Sequence, residues 1–121
     1  MQYQDAFLTI ASNDLEAAIA FYSGLLDQQP QPYIPNVYAE FTLGSMRLGI
    51  FKPKADHQAE FNNSRYSSMS ICLEVKDLES AIQHLSTMGY RPSGEITVAS
   101  HGREIYAYDP MQNRLILHQS N

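Results

Sequence analysis

The chain repeats itself. Asp14-Leu15-Glu16-Ala17-Ala18-Ile19 returns 63 positions later as Asp77-Leu78-Glu79-Ser80-Ala81-Ile82, with five of the six residues identical. At the same offset Leu8 and Ile10 fall on Ile71 and Leu73. Further on, Arg47-Leu48-Gly49-Ile50 matches Arg114-Leu115-Ile116-Leu117 at an offset of 67. Several similarities in one order at nearly constant spacing point to a duplicated unit, so the chain should fold as two like halves.

Each half reads the same way. Residues 6–11 form a short apolar strand, and Ser12-Asn13-Asp14 supply turn and cap residues. The helix that follows presents Leu15, Ala18, Ile19 and Tyr22 on one stripe and ends near Phe21-Tyr22. In the second half the strand spans 69–75 and Asp77 caps the helix. Leu78, Ala81, Ile82, Leu85 and Met88 make its stripe, and Gly89 ends it in the left-handed region. Three strands follow each helix: 28–33, 36–43 and 46–52, then 91–99, 103–109 and 114–119. Pro30, Pro32, Pro35, Gly44-Ser45, His101-Gly102 and Asp109-Pro110 separate them. The class is α+β: one domain of two βαβββ modules, about 4–53 and 68–120, joined by an aperiodic linker at 54–67.

A strand leading into Asp-Leu-Glu, a helix carrying Phe21-Tyr22, and Asp109-Pro110-Met111-Gln112-Asn113-Arg114 before a closing strand form a combination. It resembles the vicinal oxygen chelate superfamily of glyoxalase I, bleomycin-resistance proteins and extradiol dioxygenases, over about residues 4–119. The resemblance implies tandem modules whose sheets curl into a half-open barrel with the helices outside. It also implies dimers, and ligands held in the cup.

The resemblance further implies four metal-ligand positions. Two lie seven residues before the Asp that opens each helix, at Phe7 and Ser70. One lies seven residues after the Asp of the Asp-Pro turn, at Ile116, and its repeat partner is Gly49. Three of these carry no lone pair, and the neutral Ser70 hydroxyl is a poor ligand for Zn²⁺, Ni²⁺ or Fe²⁺. The chain therefore reads as a member lacking the usual metal ligands, with no metal and no cofactor expected.

Strand alternation sorts the remaining residues. Leu8, Ile10, Leu48, Ile50, Ile71, Leu73, Leu115 and Leu117 face the helices. Phe7, Thr9, Arg47, Gly49, Phe51, Ser70, Arg114 and Ile116 line the other face as candidate ligand contacts, joined by Cys72, Glu74 and His118. Phe7, Phe51 and Ile116 can stack on a ligand or fill a closed barrel. Arg47 and Arg114 can clamp an anion or pair with surface carboxylates. Glu74 and His118 are weak candidates for base and acid, with a solvated strand-end pair as the plainer reading. Cys72 reads first as a small buried hydrophobe and only then as a thiolate. His84 reads as solvent-exposed and His57 as part of the linker; His101-Gly102-Arg103 can cover the mouth of the cup, with a plain hairpin turn as the leading reading. Tyr33, Tyr38, Phe41, Tyr106 and Tyr108 fall on the middle strands, suiting a flat ligand, a dimer interface or simply strand formation. Gly24, Gly44 and Gly94 read as turn residues without a phosphate-cradling pattern.

Composition bounds the partners. With 8 Lys and Arg against 13 Asp and Glu, the net charge of −5 disfavours nucleic acid and anionic membrane surfaces. One cysteine excludes an intramolecular disulfide framework. No signal or membrane segment is read, so a soluble, cytoplasmic protein is expected, and the resemblance implies a homodimer. The leading functional reading is a metal-independent protein holding a small apolar or aromatic ligand. The alternative is a metal-free lyase or isomerase using Glu74, His118 or Cys72 for proton transfer, and a metal displaced to residues such as Glu74 and His118 ranks third.

Overall fold

The computed structural model describes residues 1–62 and 66–121. The chain divides into two compact units, Met1–Asn62 and Asn63–Asn121, parted within the expected linker. Each is a βαβββ module with an open four-stranded sheet. The first contains β1 (Leu8–Ala11), α1 (Leu15–Leu26), β2 (Tyr33–Ile34), β3 (Tyr38–Leu43) and β4 (Met46–Phe51). The second contains β5 (Ile71–Glu74), α2 (Leu78–Thr87), β6 (Thr97–Ala99), β7 (Gly102–Tyr108) and β8 (Arg114–Ser120). The strand orders are β1-β4-β3-β2 and β5-β8-β7-β6, with the first strand of each module parallel to its last.

Both helices start as their aspartates dictate. The Asp14 carboxylate accepts the Ala17 N–H at 3.1 Å, and Asp77 accepts that of Ser80 at 3.0 Å. These bonds satisfy amides that have no partner inside the helix. Their ends differ. Gly89, at φ +93°, closes α2 with the Tyr90 amide on the Leu85 carbonyl and its own amide on that of Ser86. α1 runs past Tyr22 and past Gly24, which is helical rather than a turn residue, and stops at Asp27 with φ +53°. An aspartate tolerates that left-handed position, so no glycine marks the end.

The aliphatic layers face the helices as the alternation requires. Leu48, Ile50, Ala39 and Phe41 are buried with Leu15, Ala18, Phe21 and Tyr22 of α1. Phe41 thus belongs to the core, its ring 6.3 Å from that of Tyr22. Phe21 is fully buried, whereas Ile19, expected on the stripe, is half-buried. In the second unit Leu78 and Leu85 of α2 are buried with Ile71, Ile105, Ala107, Leu115 and Leu117. Gln119 of β8 accepts the Leu78 amide at 2.7 Å, tying the start of α2 to the sheet.

Several strands are shorter than the sequence suggests. β1 begins at Leu8, because Asp5 accepts the Ala6 amide and binds Arg47 where Phe7 would enter the ladder. Of the expected strand at 28–33 only Tyr33 lies in β2. Pro30 and Pro32 have no amide to donate, so ahead of Tyr33 the segment is tied to β3 by two backbone bonds, Gln31 N–H to the Glu40 carbonyl and Glu40 N–H to the Pro32 carbonyl, and by the Gln28 side chain on the Thr42 carbonyl and amide. Residues 91–96 likewise stay outside β6, where Pro92 and the Ser93-Gly94 bend interrupt pairing. The linker is not uniformly irregular, since Ala55–Phe61 forms a 3-10 helix whose Phe61 meets Phe51 edge-on at 5.2 Å. Its residues 63–65 lie outside the described residues.

Candidate functional site

On the first sheet the face away from α1 gathers the expected contacts. Thr9 is in register with Gly49, and Glu40 with Gly49 on the opposite side. Arg47 lies over the Phe7 ring at 4.6 Å, is ion-paired to Asp5 and sits 3.7 Å from Glu40. That hydrogen bond to Asp5 is the main reason Arg47 is held above the usual guanidinium range and Asp5 below the usual carboxylate range. Two carboxylates therefore already occupy Arg47. The Tyr38 hydroxyl donates to Glu40 at 2.9 Å, and partial burial, then Glu40, raises its pKa.

The four superfamily ligand positions do not fit a metal here. Gly49 is covered by Tyr38, and a Cβ at that position would stand 2.9 Å from two of its ring carbons. Phe7 precedes β1 and is occupied by the Arg47 guanidinium. The Ser70 hydroxyl accepts from Arg114 Nε at 2.7 Å. Ile116 carries only carbon. The set offers one hydroxyl, already engaged, where a divalent transition cation needs several imidazole, carboxylate or thiolate donors.

The second sheet carries the richer face. Its cross-strand pairs are Cys72 with Ile116, Tyr106 with Ile116, Tyr108 with Arg114, and Glu74 and Glu104 on either side of His118. Arg114, repeat partner of Arg47, is not neutralised in the same way. It donates to the Ser70 hydroxyl and to the Ser67 carbonyl, both at 2.7 Å, and lies 6.0 Å from the Tyr106 ring centre. Among the described residues it has no ion pair. Tyr106 is half exposed beside it.

Two expectations change here. Cys72 is exposed, because as the second residue of β5 it turns away from α2 while Ile71 and Leu73 turn towards it. Its thiol is pushed up by local burial, then by Glu74 and Glu104, the opposite of an activated thiolate. His118 is not a solvated strand-end group. It is 7% exposed, with Nδ1 2.6 Å from Glu74 Oε2. Glu74 also accepts from the Ser120 hydroxyl and amide, and these bonds, the hydroxyl first and His118 next, lower its pKa.

A residue read first as part of a plain turn joins this end of the face. His101, assigned to a plain turn between β6 and β7, stacks on His118 with ring centres 4.9 Å apart. The signal available was His101-Gly102 itself, since Gly102 has backbone close against it on β8. A separate cleft of about 230 Å³ near Tyr90, Arg91 and Pro92 includes Tyr108, one of the middle-strand aromatics, but none of the eight expected ligand contacts and none of Cys72, Glu74 and His118.

Among the described residues no helix is long and apolar enough to cross a membrane. No curated protein matches the chain. Solved structures do. A glyoxalase-related enzyme from Fulvimarina pelagi is 19% identical, covering 98% of this chain and 89% of its own, with a TM-score of 0.79. The genomically encoded fosfomycin resistance protein FosX from Listeria monocytogenes is 16% identical, covering 100% and 96%, with a TM-score of 0.77. The bleomycin resistance determinant encoded on transposon Tn5 is 18% identical, covering 98% and 99%, with a TM-score of 0.69. These likenesses carry the fold, and a family model matches residues 6–117. The chain belongs to the glyoxalase/bleomycin resistance protein/dioxygenase superfamily.

Proposed function

We propose that this protein binds a small molecule with an apolar or aromatic body and an anionic group, without a metal at the superfamily's four-donor position. The observation that carries this reading is the contrast between the two repeat-related arginines. Arg47 is matched by Asp5 and Glu40, whereas Arg114 meets only hydroxyl and carbonyl oxygens and stands beside Tyr106 and Ile116. A guanidinium without a carboxylate partner, next to an aromatic face, suits an aromatic or aliphatic acid. Two copies of the chain are proposed to pair, as members of the superfamily commonly do.

The proton-transfer reading has one observation in its favour, the 2.6 Å contact of Glu74 with His118. Against it, both partners are already engaged, Nδ1 of His118 by Glu74 and the Glu74 carboxylate also by the Ser120 amide and hydroxyl. Binding is therefore the reading preferred here.

A thermal-shift screen of aromatic and aliphatic carboxylic acids against the full chain tests the proposal, followed by calorimetry on any binder. Binders should weaken at least tenfold in Arg114→Gln and remain unaffected in Arg47→Gln. Equal losses in the two variants, or no binder in the screen, would overturn it.

A further inference from the structure

The row Glu74–His118–Glu104 runs straight across β5, β8 and β7, because each pair is directly in register. Glu74 takes Nδ1 of His118 at 2.6 Å, which leaves Nε2 pointing to the other side of the row. That side holds Glu104 and His101. One donor atom from each of His101, Glu104 and His118 lies within 4.8 Å of the others. His118 Nε2 itself is buried and has no hydrogen-bond partner among the described residues. Buried polar atoms are rarely left so, and an unpartnered one asks for an explanation.

We propose that His101, Glu104 and His118 form a binding site for one divalent transition cation, distinct from the four superfamily positions. Two imidazoles and one carboxylate are the donor set preferred by Zn²⁺, Ni²⁺ and Fe²⁺, and three protein ligands leave a further position open. Glu74 supplies what such a ligand needs behind it. A carboxylate on the far nitrogen fixes the ring and its tautomer and leaves the near nitrogen as a lone pair. The third expectation from the sequence paired Glu74 with His118 as ligands; here Glu74 is the positioning residue and His101 and Glu104 complete the set.

The backbone is shaped for this approach. Gly102 lies against β8 so closely that a Cβ would stand 2.9 Å from His118 Nε2. A Cβ there would also run into the Gln119 carbonyl oxygen, so only glycine lets the turn lie this close to the His118 ring. The turn carrying His101 is tied down by Asn121, whose side chain donates to the Ser100 carbonyl at 2.9 Å and whose amide donates to the His101 carbonyl at 3.3 Å. Tetrahedral ligands about 2.0–2.2 Å from an ion stand roughly 3.4 Å apart, so loading requires the donors to draw inward. Exposed His101 can do so by rotating out of its stack on His118.

The test is calorimetric titration of the untagged, chelator-stripped full chain with Zn²⁺ and Ni²⁺, with Mg²⁺ as a control. One Zn²⁺ or Ni²⁺ per chain and a raised Tm are expected, with no response to Mg²⁺. His101→Ala, in an exposed turn, should keep the fold and lose affinity at least tenfold. Glu74→Gln should lose tenfold to a hundredfold through the His118 ring alone. His57→Ala, in the linker, should bind like the wild type. Absence of stoichiometric binding, or binding unchanged in His101→Ala, would overturn the proposal, as would an equal loss in His57→Ala. Each result is read without any organic ligand, so it stands or falls apart from the binding function proposed above.

Discussion

His118 Nδ1 lies 2.6 Å from Glu74 Oε2 on the neighbouring parallel strand, and the same carboxylate accepts the Ser120 amide and hydroxyl. The side chain of β5 thereby braces the last turn-ward residues of β8 and sets which ring nitrogen carries the hydrogen. Glu74→Gln should disturb this. In long-range ¹⁵N–¹H spectra of the neutral ring, the wild type should show the Nδ1–H tautomer of His118 and the variant a mixture. An Nε2–H tautomer in the wild type would contradict the arrangement.

Gly49 and Tyr38 share one space. A methyl group at Gly49 meets Tyr38 ring carbons at 2.9 Å, so Gly49→Ala should cost about 1–3 kcal/mol by overpacking. Tyr38→Ala frees that space, so the double variant should be more stable than the sum of the single losses implies. Chemical denaturation of all four proteins measures the coupling; simple additivity would refute the contact.

Asp109 is 1% exposed and organises the turn before β8. Its carboxylate accepts from the amides of Met111 and Asn113 and from the Asn113 side chain at 2.8–2.9 Å. Asp109→Ala leaves these donors unmatched, and bonds to a charged acceptor are worth about 1.5–3 kcal/mol each. A fall in Tm on the order of 10 °C is expected by calorimetry, and a change within a degree or two would show that the turn does not depend on it.

Gln112, in the same turn, has φ +70°, a region costly for a residue with a Cβ. Gln112→Gly removes that cost but loosens the unfolded chain. The net gain should be roughly 0.5–1 kcal/mol in urea unfolding. A loss of stability would mean that the Gln112 side chain contributes more than its backbone costs.

Cys72 is exposed, yet burial of its sulfur side and the carboxylates Glu74 and Glu104 raise its thiol pKa. A raised value means less thiolate at any given pH, so iodoacetamide should label Cys72 more slowly at pH 8 than it labels free cysteine. Glu74→Gln removes a negative neighbour and should shift the labelling profile to lower pH. A wild-type profile below that of free cysteine would reverse the sign of the argument.

The face assignments were legible because strand alternation is a local rule. Leu48 and Ile50 had to turn one way once Arg47, Gly49 and Phe51 turned the other, and the same holds for Leu115 and Leu117 against Arg114, Ile116 and His118. Asp14 and Asp77 were legible as caps for a similar reason, since a cap acts within three residues. Pro30 and Pro32 were read only as separators and Pro92 as part of a strand, although a missing amide trims the strands beside it. Phe41 was grouped with the ligand-gripping aromatics because its chemistry suits both a core and a cup, and only its facing of Tyr22 decides.

By itself the amino-acid order determined the duplicated βαβββ plan, the helix starts, the split of each sheet into two faces, and the lack of any imidazole, carboxylate or thiolate at Phe7, Gly49, Ser70 and Ile116. Tertiary structure alone decided that Tyr38 closes over Gly49, that Arg47 is matched while Arg114 is not, and that His101 meets His118 and Glu104. The physical reason is range. Caps and alternation act over a few bonds, whereas strand register places residues far apart in the chain side by side, and no short stretch of sequence contains that information.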